Sequence, residues 1–278
     1  IGDNTSKVTK YDNPNRTLTD PYEGQQLGEI WGYVVDGYFK TDEEARNYKV
    51  DQSFVNQMIN ASALDNGLHA GDLKFVDLDG NNKIEQTTSA NDRKDMKVIG
   101  NSLPRYNYNF GISADWYGID FSVLFQGIGK QNWYPGAETS MFWGPYSRPY
   151  ASFIPSDFMS QVWSEENTDA YFPRPRGYVA LGSNRELAVV NTKYLQNLAY
   201  CRLKNLSIGY TLPDKWLSKI GFEKIRVYFS GENLLTFTKL HSDYIDPEQA
   251  SASNSWKTSK SDANIYPWAK TYSFGVDI

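Results

Sequence analysis

The sequence lacks several features that would classify a chain of 278 residues. Cys201 is the only cysteine, so no internal disulfide can form. No run approaches the roughly 18 apolar residues that a transmembrane helix requires. The formal net charge is −5, so the chain has none of the basic excess that nucleic-acid binding requires. These absences exclude an internal disulfide and a membrane-spanning helix, and they argue against nucleic acid as a partner.

Catalytic motifs are also scarce. The two histidines, His69 and His241, fall in predicted loops, and their positions indicate no serine–histidine–aspartate triad. Glu165 and Glu166 lie beside a short predicted helix, which favours solvated carboxylates over a glycosidase pair. The stretch GIGKQN at 127–132 lacks the spacing of a phosphate-binding loop. We therefore expect no enzyme activity.

Aromatic residues, by contrast, make up 15% of the chain, and seven of them fall in one regular stretch, YNYNFGISADWYGIDFSVLFQGI at 106–128. Apolar and polar residues alternate from Tyr106 to Trp116 and again from Ile119 onward, with Leu124 as the exception. Side chains of a strand point alternately to its two faces, so the stretch predicts a β-hairpin with one apolar and one polar face. Each arm has about the ten residues that cross a bilayer at a tilt, roughly twice a typical soluble strand.

Other strands and short helices are predicted along the chain. The further strands are 1–11, 27–39, 200–212, 225–237 and 271–278. Helices are expected within 42–64, 155–167 and 213–222, and Thr41 with Glu44 fits a capping box. On strand 200–212, Arg202 and Lys204 are expected on the same face as Leu206.

The predicted connections alternate between short and long. The short ones are 12–26, 117–118 and 213–222, and the long ones are 40–105, 129–199 and 238–270. A transmembrane up-and-down barrel has short turns on one side and long loops on the other, whereas a soluble sandwich has no reason to do so. We predict an all-β fold: a transmembrane antiparallel up-and-down β-barrel segment with long extracellular loops containing short helices. Because seven strands cannot close a barrel, further strands are expected from outside residues 1–278.

One turn-rich stretch, GDLKFVDLDGNNKIE at 71–85, resembles the first half of a calcium loop. Asp77, Asp79 and Asn81 place oxygen ligands at alternate positions. The sixth position is Asn82 rather than glycine, and the twelfth is Thr88 rather than a bidentate carboxylate. The alternative is a cluster of Asx turns that closes the loop on its own backbone, so calcium is the one cofactor left open.

Several blocks of the sequence resemble the SusC/RagA-type TonB-dependent outer-membrane transporters of Bacteroidota. They are GEIWGYVVDGYF (28–39), GDLKFVDLDGNNKI (71–84), DRKDMKVIGNSLPRYNYNFGISADWYGIDFSVLFQGIGKQNWY (92–134), VWSEENTDAYFPR (162–174), YLQNLAYCRLKNLSIGYTLP (194–213), IRVYFSGENLLTFTKL (225–240), YIDPE (244–248) and TYSFGVDI (271–278).

The resemblance implies that residues 1–278 are the C-terminal part of a larger barrel in the outer membrane, without its plug and N-terminal strands. It implies import of oligosaccharides or peptides, capture of the substrate with a SusD-type surface lipoprotein, and energy from the TonB complex through the missing N-terminal part. The alternatives from other classes are a soluble carbohydrate-binding β-domain and a β-rich glycosidase.

Two groups of residues are the candidate functional positions. Polar hairpin residues expected to face the lumen, opposite a lipid-facing apolar side, are Asn107, Asn109, Ser113, Asp115, Asp120, Ser122 and Gln126. Aromatic residues of the outer loop that are candidates for substrate contact are Trp133, Tyr134, Phe142, Trp143, Tyr146 and Tyr150. The alternative for the second group is packing within the loop or against the lipoprotein. Interface aromatics are expected near the short turns, at Trp116, Tyr117, Tyr210 and Trp216.

Overall fold

The computed structural model describes residues 5–56, 67–148, 153–175, 177–182, 185–219, 221–253, 260–261 and 266–278. The strands are β1 (Glu29–Tyr33), β2 (Val35–Tyr38), β3 (Leu73–Phe75), β4 (Met96–Asn101), β5 (Arg105–Trp116), β6 (Ile119–Lys130), β7 (Asn132–Pro135), β8 (Gln196–Asn197), β9 (Tyr200–Thr211), β10 (Arg226–Thr238), β11 (Lys260–Ser261) and β12 (Thr271–Asp277). The α-helices are α1 (Asp42–Arg46), α2 (Ser53–Asn56), α3 (Ser140–Trp143), α4 (Asp214–Leu217) and α5 (Pro247–Ser253). Short 3₁₀ helices lie at Gly144–Tyr146, Phe158–Gln161 and Tyr178–Leu181.

The predicted hairpin is the start of a five-stranded antiparallel sheet with the order β12-β10-β9-β6-β5. Tyr117 and Gly118 form its turn with φ of 47° and 83°. Two consecutive positive φ values are what a type I′ turn requires, and its twist suits the flanking strands. The five strands of this sheet pair in the order in which they occur along the chain, with β7, β8 and β11 in separate pairings, so the up-and-down order is confirmed within this sheet.

Short and long connections alternate in this sheet, as predicted. The short ones are 117–118 and 212–225, and the long ones are 131–199 and 239–270. Because neighbouring strands are antiparallel, both long connections lie at the same end of the sheet. The edges of β5 and β12 have no further strand partner among the described residues, so the sheet is open there.

The described residues of the N-terminal third do not extend this sheet. The prediction that 1–11 and 27–39 are strands of the same barrel wall is therefore wrong. Between residues 5 and 11 the structure has only an isolated bridge from Lys7 to Gln26. The segment 27–39 forms β1 and β2, which pair with β4 and β3 in two small separate sheets. Its alternation is imperfect because Ile30, Tyr33 and Tyr38 are all buried. The segment is therefore packed against the connections and is not a two-faced wall strand.

The main hydrophobic core lies in the connections and not against the sheet. Buried aromatic residues such as Tyr33, Phe75, Trp143, Phe172 and Tyr194 form it. In the described part of the chain, none of its buried members comes from the five strands of the main sheet. The long connections thus fold into a body of their own, which we call the loop body (the connections 131–199 and 239–253, with 29–101 packed on them).

The short helices agree with the sequence where they are described. Thr41 is the N-cap of α1, and its hydroxyl accepts a hydrogen bond from the Glu44 N–H at 3.1 Å. The rest of the predicted region 42–64 contains α2, and residues 57–64 lie outside the described part. In 155–167 only the 3₁₀ helix Phe158–Gln161 forms, and α4 provides the helical turn expected in 213–222. Among the described residues, no helix has the length and apolar character needed to cross a membrane.

Candidate functional site

The register of the hairpin places the seven predicted polar residues on one face. Asn109 lies opposite Gln126, Ser113 opposite Ser122, and Asp115 opposite Asp120. Asn107 belongs to the same face by the alternation along β5. The face continues into β9 through Gly209 and Ser207, the partners of Asp120 and Ser122. We call this side of the five-stranded sheet the polar face.

The opposite side of the sheet is apolar and uncovered. Phe110 and Phe125 face each other across the hairpin and stack with ring centroids 4.9 Å apart. Ile112 is 59% exposed and Phe274 of β12 is 81% exposed, although both are strongly apolar. Phe121, also on this side, is half-buried between strands and does not belong to a dry core. This apolar face extends across all five strands, from Ile112 to Val276.

Aromatic side chains collect at the end of the sheet that carries the short turns. Trp116 and Tyr117 are exposed at the hairpin turn and meet edge to face at 5.1 Å. Trp216 is exposed on α4 in the other short connection, and Tyr210 precedes it on the apolar face of β9. The four residues named from the sequence therefore share one end of the sheet.

An ionic network connects three strands on the polar face. The guanidinium of Arg226 on β10 donates to the Asp120 carboxylate on β6, from Nε at 2.8 Å and from Nη2 at 2.6 Å. Its Nη1 donates to Asp277 on β12 at 2.9 Å. The side chain crosses β9 at Gly209, where a Cβ would lie 2.5 Å from both Arg226 and Asp120. With glycine at this position, neither side chain has to shift.

A β-bulge changes the face on which Arg202 lies. The pairing of β9 shifts by one residue at Lys204, so that Arg202 lies opposite Gln126 and Leu203 opposite Phe125. An extra residue reverses the alternation beyond it. The expectation that Arg202 shares the face of Leu206 is therefore wrong, because Arg202 belongs to the polar face. Lys204 is the unpaired bulge residue itself.

Arg202 ties the loop body to the polar face. Its guanidinium is 2% exposed, and it donates to Asp246 and to Glu248 at 2.7 Å each. Lys204 donates to the same Glu248 carboxylate at 3.0 Å. Asp246 and Glu248 stand at the start of α5, in the long connection after β10. This connection therefore covers the polar face at its long-loop end, while Phe237 on the other side stays exposed.

The candidate aromatic contacts of the outer loop are buried. Within the described residues they are Trp133, Tyr134, Phe142, Trp143 and Tyr146, whereas Tyr150 lies outside the described residues. Phe142 and Trp143 meet at 4.8 Å, and Trp143 packs on Tyr194 at 5.2 Å. None of the five offers a ring face to the surface. They pack the loop onto itself, which is the alternative role that the sequence left open.

The polar atoms of these rings bond to nearby backbone. The Trp143 indole N–H donates to the Gly136 carbonyl at 2.9 Å, and the Tyr146 hydroxyl donates to the Pro173 carbonyl at 2.6 Å. The Tyr134 hydroxyl donates to the Leu187 carbonyl at 2.8 Å. Buried hydroxyl and indole groups that find such partners fix the fold of a connection that has little regular secondary structure.

The loop at 77–82 is closed by its own side chains. The Asp77 carboxylate accepts from the N–H groups of Gly80 and Asn82, each at 2.7 Å, and Asp79 accepts from the Asn81 N–H at 3.1 Å. Asn82 has a φ of 63°, the left-handed conformation that its position in the loop demands. The Asx turns of the alternative interpretation are thus present in the loop.

A third carboxylate lies beside Asp77 and Asp79. Asp95 is buried, and one oxygen from each of the three carboxylates lies within 4.8 Å of the others. Asp95 accepts from the Leu78 N–H at 2.8 Å and from the Glu85 N–H at 2.7 Å. Burial raises its pKa above the ordinary value, against the effect of these two donors. The carboxylate is satisfied by the backbone around it.

Several curated proteins are similar to most of this chain. TonB-dependent receptor P3 of Formosa agariphila is 28% identical over 262 residues, 92% of this chain. TonB-dependent receptor P39 of the same organism is 27% identical over 78% of the chain. The chain is related to the TonB-dependent receptors. No family model matches it.

Solved structures share the fold of this chain. The RagAB peptide importer in its open-open state superposes with a TM-score of 0.55 over 96% of the chain at 20% identity. A structure of the RagAB peptide transporter gives 0.56 over 97% of the chain at 19% identity. The resemblance that the sequence blocks indicated is therefore confirmed, and these relatives are receptors and importers rather than enzymes.

The similarity concerns one part of each relative. The chain spans 22% of the length of the two receptors and 24% of the RagAB chain. What the whole receptors and importers do is therefore a property of proteins about four to five times longer.

Proposed function

We propose that residues 1–278 form the C-terminal part of the β-barrel of an outer-membrane TonB-dependent importer of oligosaccharides or peptides. The observation that carries this proposal is the five-stranded sheet with its two different faces. β5, β6 and β9 have 12 residues each, and β10 has 13, which is enough to cross a bilayer at a tilt. One face is apolar and uncovered, and the other is polar. A barrel wall between lipid and a wet lumen has this arrangement.

Each part of the chain then has a defined position relative to the membrane. The apolar face with Phe110 and Phe274 contacts lipid, and the polar face with Asn109 and Ser113 lines the lumen. The aromatic end with Trp116 lies at the periplasmic interface, where amphipathic rings are favoured. The loop body lies outside, at the end of the long connections. The open edges of β5 and β12 pair with strands from the rest of the protein, because unpaired backbone groups are costly in lipid.

The relatives support the import function and the partners proposed here. The similar proteins are TonB-dependent receptors and the RagAB peptide importer, which supports energised uptake through the whole protein. A SusD-type lipoprotein would meet the loop body, and the TonB complex would act through a segment outside these residues. The RagAB likeness is a reason to test peptides beside oligosaccharides as substrates.

A soluble carbohydrate-binding β-domain is the alternative, and the uncovered face weighs against it. A soluble sheet buries its apolar side under a second layer. Among the described residues, no second layer covers Ile112, Phe237 or Phe274. An exposed apolar patch spanning five strands is typical of a membrane surface and not of a free monomer.

Uptake in cells tests the proposal. Retention of a labelled oligosaccharide set and a labelled peptide set is compared between cells that lack the whole protein and cells that express it. We expect retention only with the protein, and we expect an uncoupler of the inner-membrane proton gradient to abolish it. Recovery of the protein in the soluble fraction, or equal retention in both cell types, would contradict the proposal.

A further inference from the structure

A cavity in the long connection between β6 and β9 has the properties of an anion site. Its volume is about 520 Å³, within the range of roughly 300–1,000 Å³ found for small-ligand pockets. The residues that line it are Ala137, Glu138, Arg148, Tyr178, Val179, Leu181, Gly182 and Arg185. It lies in the loop body at the border of the buried aromatic core, to which its lining residue Leu181 belongs, and none of the residues singled out in the sequence lines it.

Positive charge dominates the lining of this cavity. Arg148 and Arg185 bring two cations and Glu138 brings one anion, which leaves one excess positive charge in a chain whose net charge is −5. Arg148 is paired with Glu138, with Nε and Oε1 3.1 Å apart. Arg185 differs: among the described residues, its guanidinium has no hydrogen-bond or ion-pair partner. Its five donors are available to a ligand.

The rest of the lining is suited to a ring or an apolar group. The Tyr178 ring is 55% exposed at the cavity, and a flat exposed ring stacks on sugar faces or on apolar side chains. Val179 and Leu181, from the same 3₁₀ helix, add apolar wall. The cavity therefore pairs a free guanidinium with an apolar surface.

We infer that this cavity binds a carboxylate group of the substrate, held by Arg185 while the attached ring or apolar part packs on Tyr178. A guanidinium matches a carboxylate with two parallel hydrogen bonds, which gives both energy and orientation. The carboxylate belongs either to a uronic acid residue of an oligosaccharide or to the C-terminus of a peptide. This inference rests on the proposed import function, because it assigns part of the substrate of that importer.

Binding to the purified whole protein tests it. The probes are a galacturonate trisaccharide against the matching galactose trisaccharide, and a short peptide with a free C-terminus against its C-terminal amide. One carboxylate probe should bind at least about tenfold more tightly than its neutral partner, the effect expected of a charged hydrogen bond. The pair that shows this preference identifies the source of the carboxylate. Equal binding within both pairs would overturn the inference.

Variants locate the preference at the cavity. Arg185→Gln should remove it, and Arg185→Lys should keep only part of it, because an ammonium cannot make the two parallel bonds. Arg46→Gln, at an exposed arginine outside the lining, is the matched control and should keep the full preference. Tyr178→Ala should weaken the binding of a carboxylate probe and of its neutral partner by the same factor. A carboxylate preference that survives in a folded Arg185→Gln protein would overturn the inference.

The experiments distinguish failure of this inference from failure of the proposed function. Energised uptake by cells, with binding unaffected by Arg185→Gln, would leave the importer in place and remove this site. Carboxylate binding that depends on Arg185, in a protein without energised uptake, would keep the site and remove the importer.

Discussion

The Arg226 guanidinium donates two hydrogen bonds to the Asp120 carboxylate, although β9 separates the strands of the two residues. The contact crosses β9 at Gly209, where a side chain would collide with both partners. The same arginine reaches Asp277 on the next strand. One cation thus connects β6, β10 and β12, and with glycine at position 209 neither side chain has to shift.

Gly209→Ala should break this network. The new methyl group would lie 2.5 Å from the Arg226 and Asp120 side chains, so one of them must move. We expect the free energy of unfolding to fall by about 1 kcal/mol or less, because the atoms in the way are the flexible ends of two partly exposed side chains, which can shift. Thermal unfolding of the whole protein in detergent measures it. Ser207→Ala, on the same face of the same strand, is the control, and an equal effect of the two changes would refute the crossing at Gly209.

Arg202→Gln should release the connection after β10. The change leaves Asp246 and Glu248 without their buried cation, and breaking such a pair costs about 3–5 kcal/mol. We expect faster protease cleavage within 239–253 while the strands stay protected. Lys204→Gln should have a smaller effect, because Lys204 is more exposed and Arg202 still holds Glu248. Equal cleavage of the Arg202→Gln and unchanged proteins would show that the ion pairs do not hold this connection.

Glu44→Gln should weaken the start of α1 in a pH-dependent way. The Lys40 N–H, most of all, and the Lys74 ammonium lower the pKa of Glu44 below its ordinary value, against a smaller effect of burial. A lowered pKa means that this stabilisation is present above the unfolded pKa and is lost as pH falls through the folded one.

Hydrogen exchange of the peptide covering 40–48 checks this at two pH values, after correction for intrinsic rates. The glutamine variant should exchange faster than the unchanged protein at pH near 7, and the difference should vanish at a pH below the lowered pKa of Glu44, where both side chains are neutral. A difference that persists at the lower pH would contradict the role of the Glu44 charge.

Calcium should leave the loop at 77–82 unchanged. Asp77 and Asp79 already accept from backbone N–H groups of the loop, so the loop closes without an ion. We expect the same thermal midpoint in EDTA and in millimolar calcium. A calcium-dependent rise that Asp77→Asn abolishes would instead establish the metal site that the sequence left open.

The two-faced hairpin and the alternation of short and long connections in the sheet were predictable. Both depend on local alternation of apolar and polar residues and on a two-residue turn. The position of Arg202 was not, since one bulge residue at Lys204 reverses the alternation and leaves no mark in the composition. The pairing of 27–39 outside the main sheet also depends on long-range packing. Tyr33, for example, hydrogen-bonds through its backbone to Val190 and Thr192, far along the chain.

Some residues of the candidate site were likewise predictable from the sequence, and others were not. Asn109, Ser113 and Asp120 were predictable as one face, because the pleat alone decides it. The burial of Trp143 and Tyr146 was not predictable, since aromatic residues in an irregular loop give no periodic signal. The proposed role of Arg185 was not predictable for a related reason: nothing in the sequence distinguishes an unpaired arginine from a paired one.

The central claim is that the apolar face contacts lipid and the polar face contacts water. In a Cys201→Ser background, single cysteines at Ile112→Cys and Ser113→Cys, neighbours on opposite faces of β5, are exposed to a small charged thiol reagent in intact outer membranes. Both positions are exposed in the described sheet, so a soluble domain would let both react. We predict that Ser113→Cys is labelled and that Ile112→Cys stays unlabelled because lipid covers it. Labelling of both cysteines at the same rate, or of Ile112→Cys alone, would contradict the account.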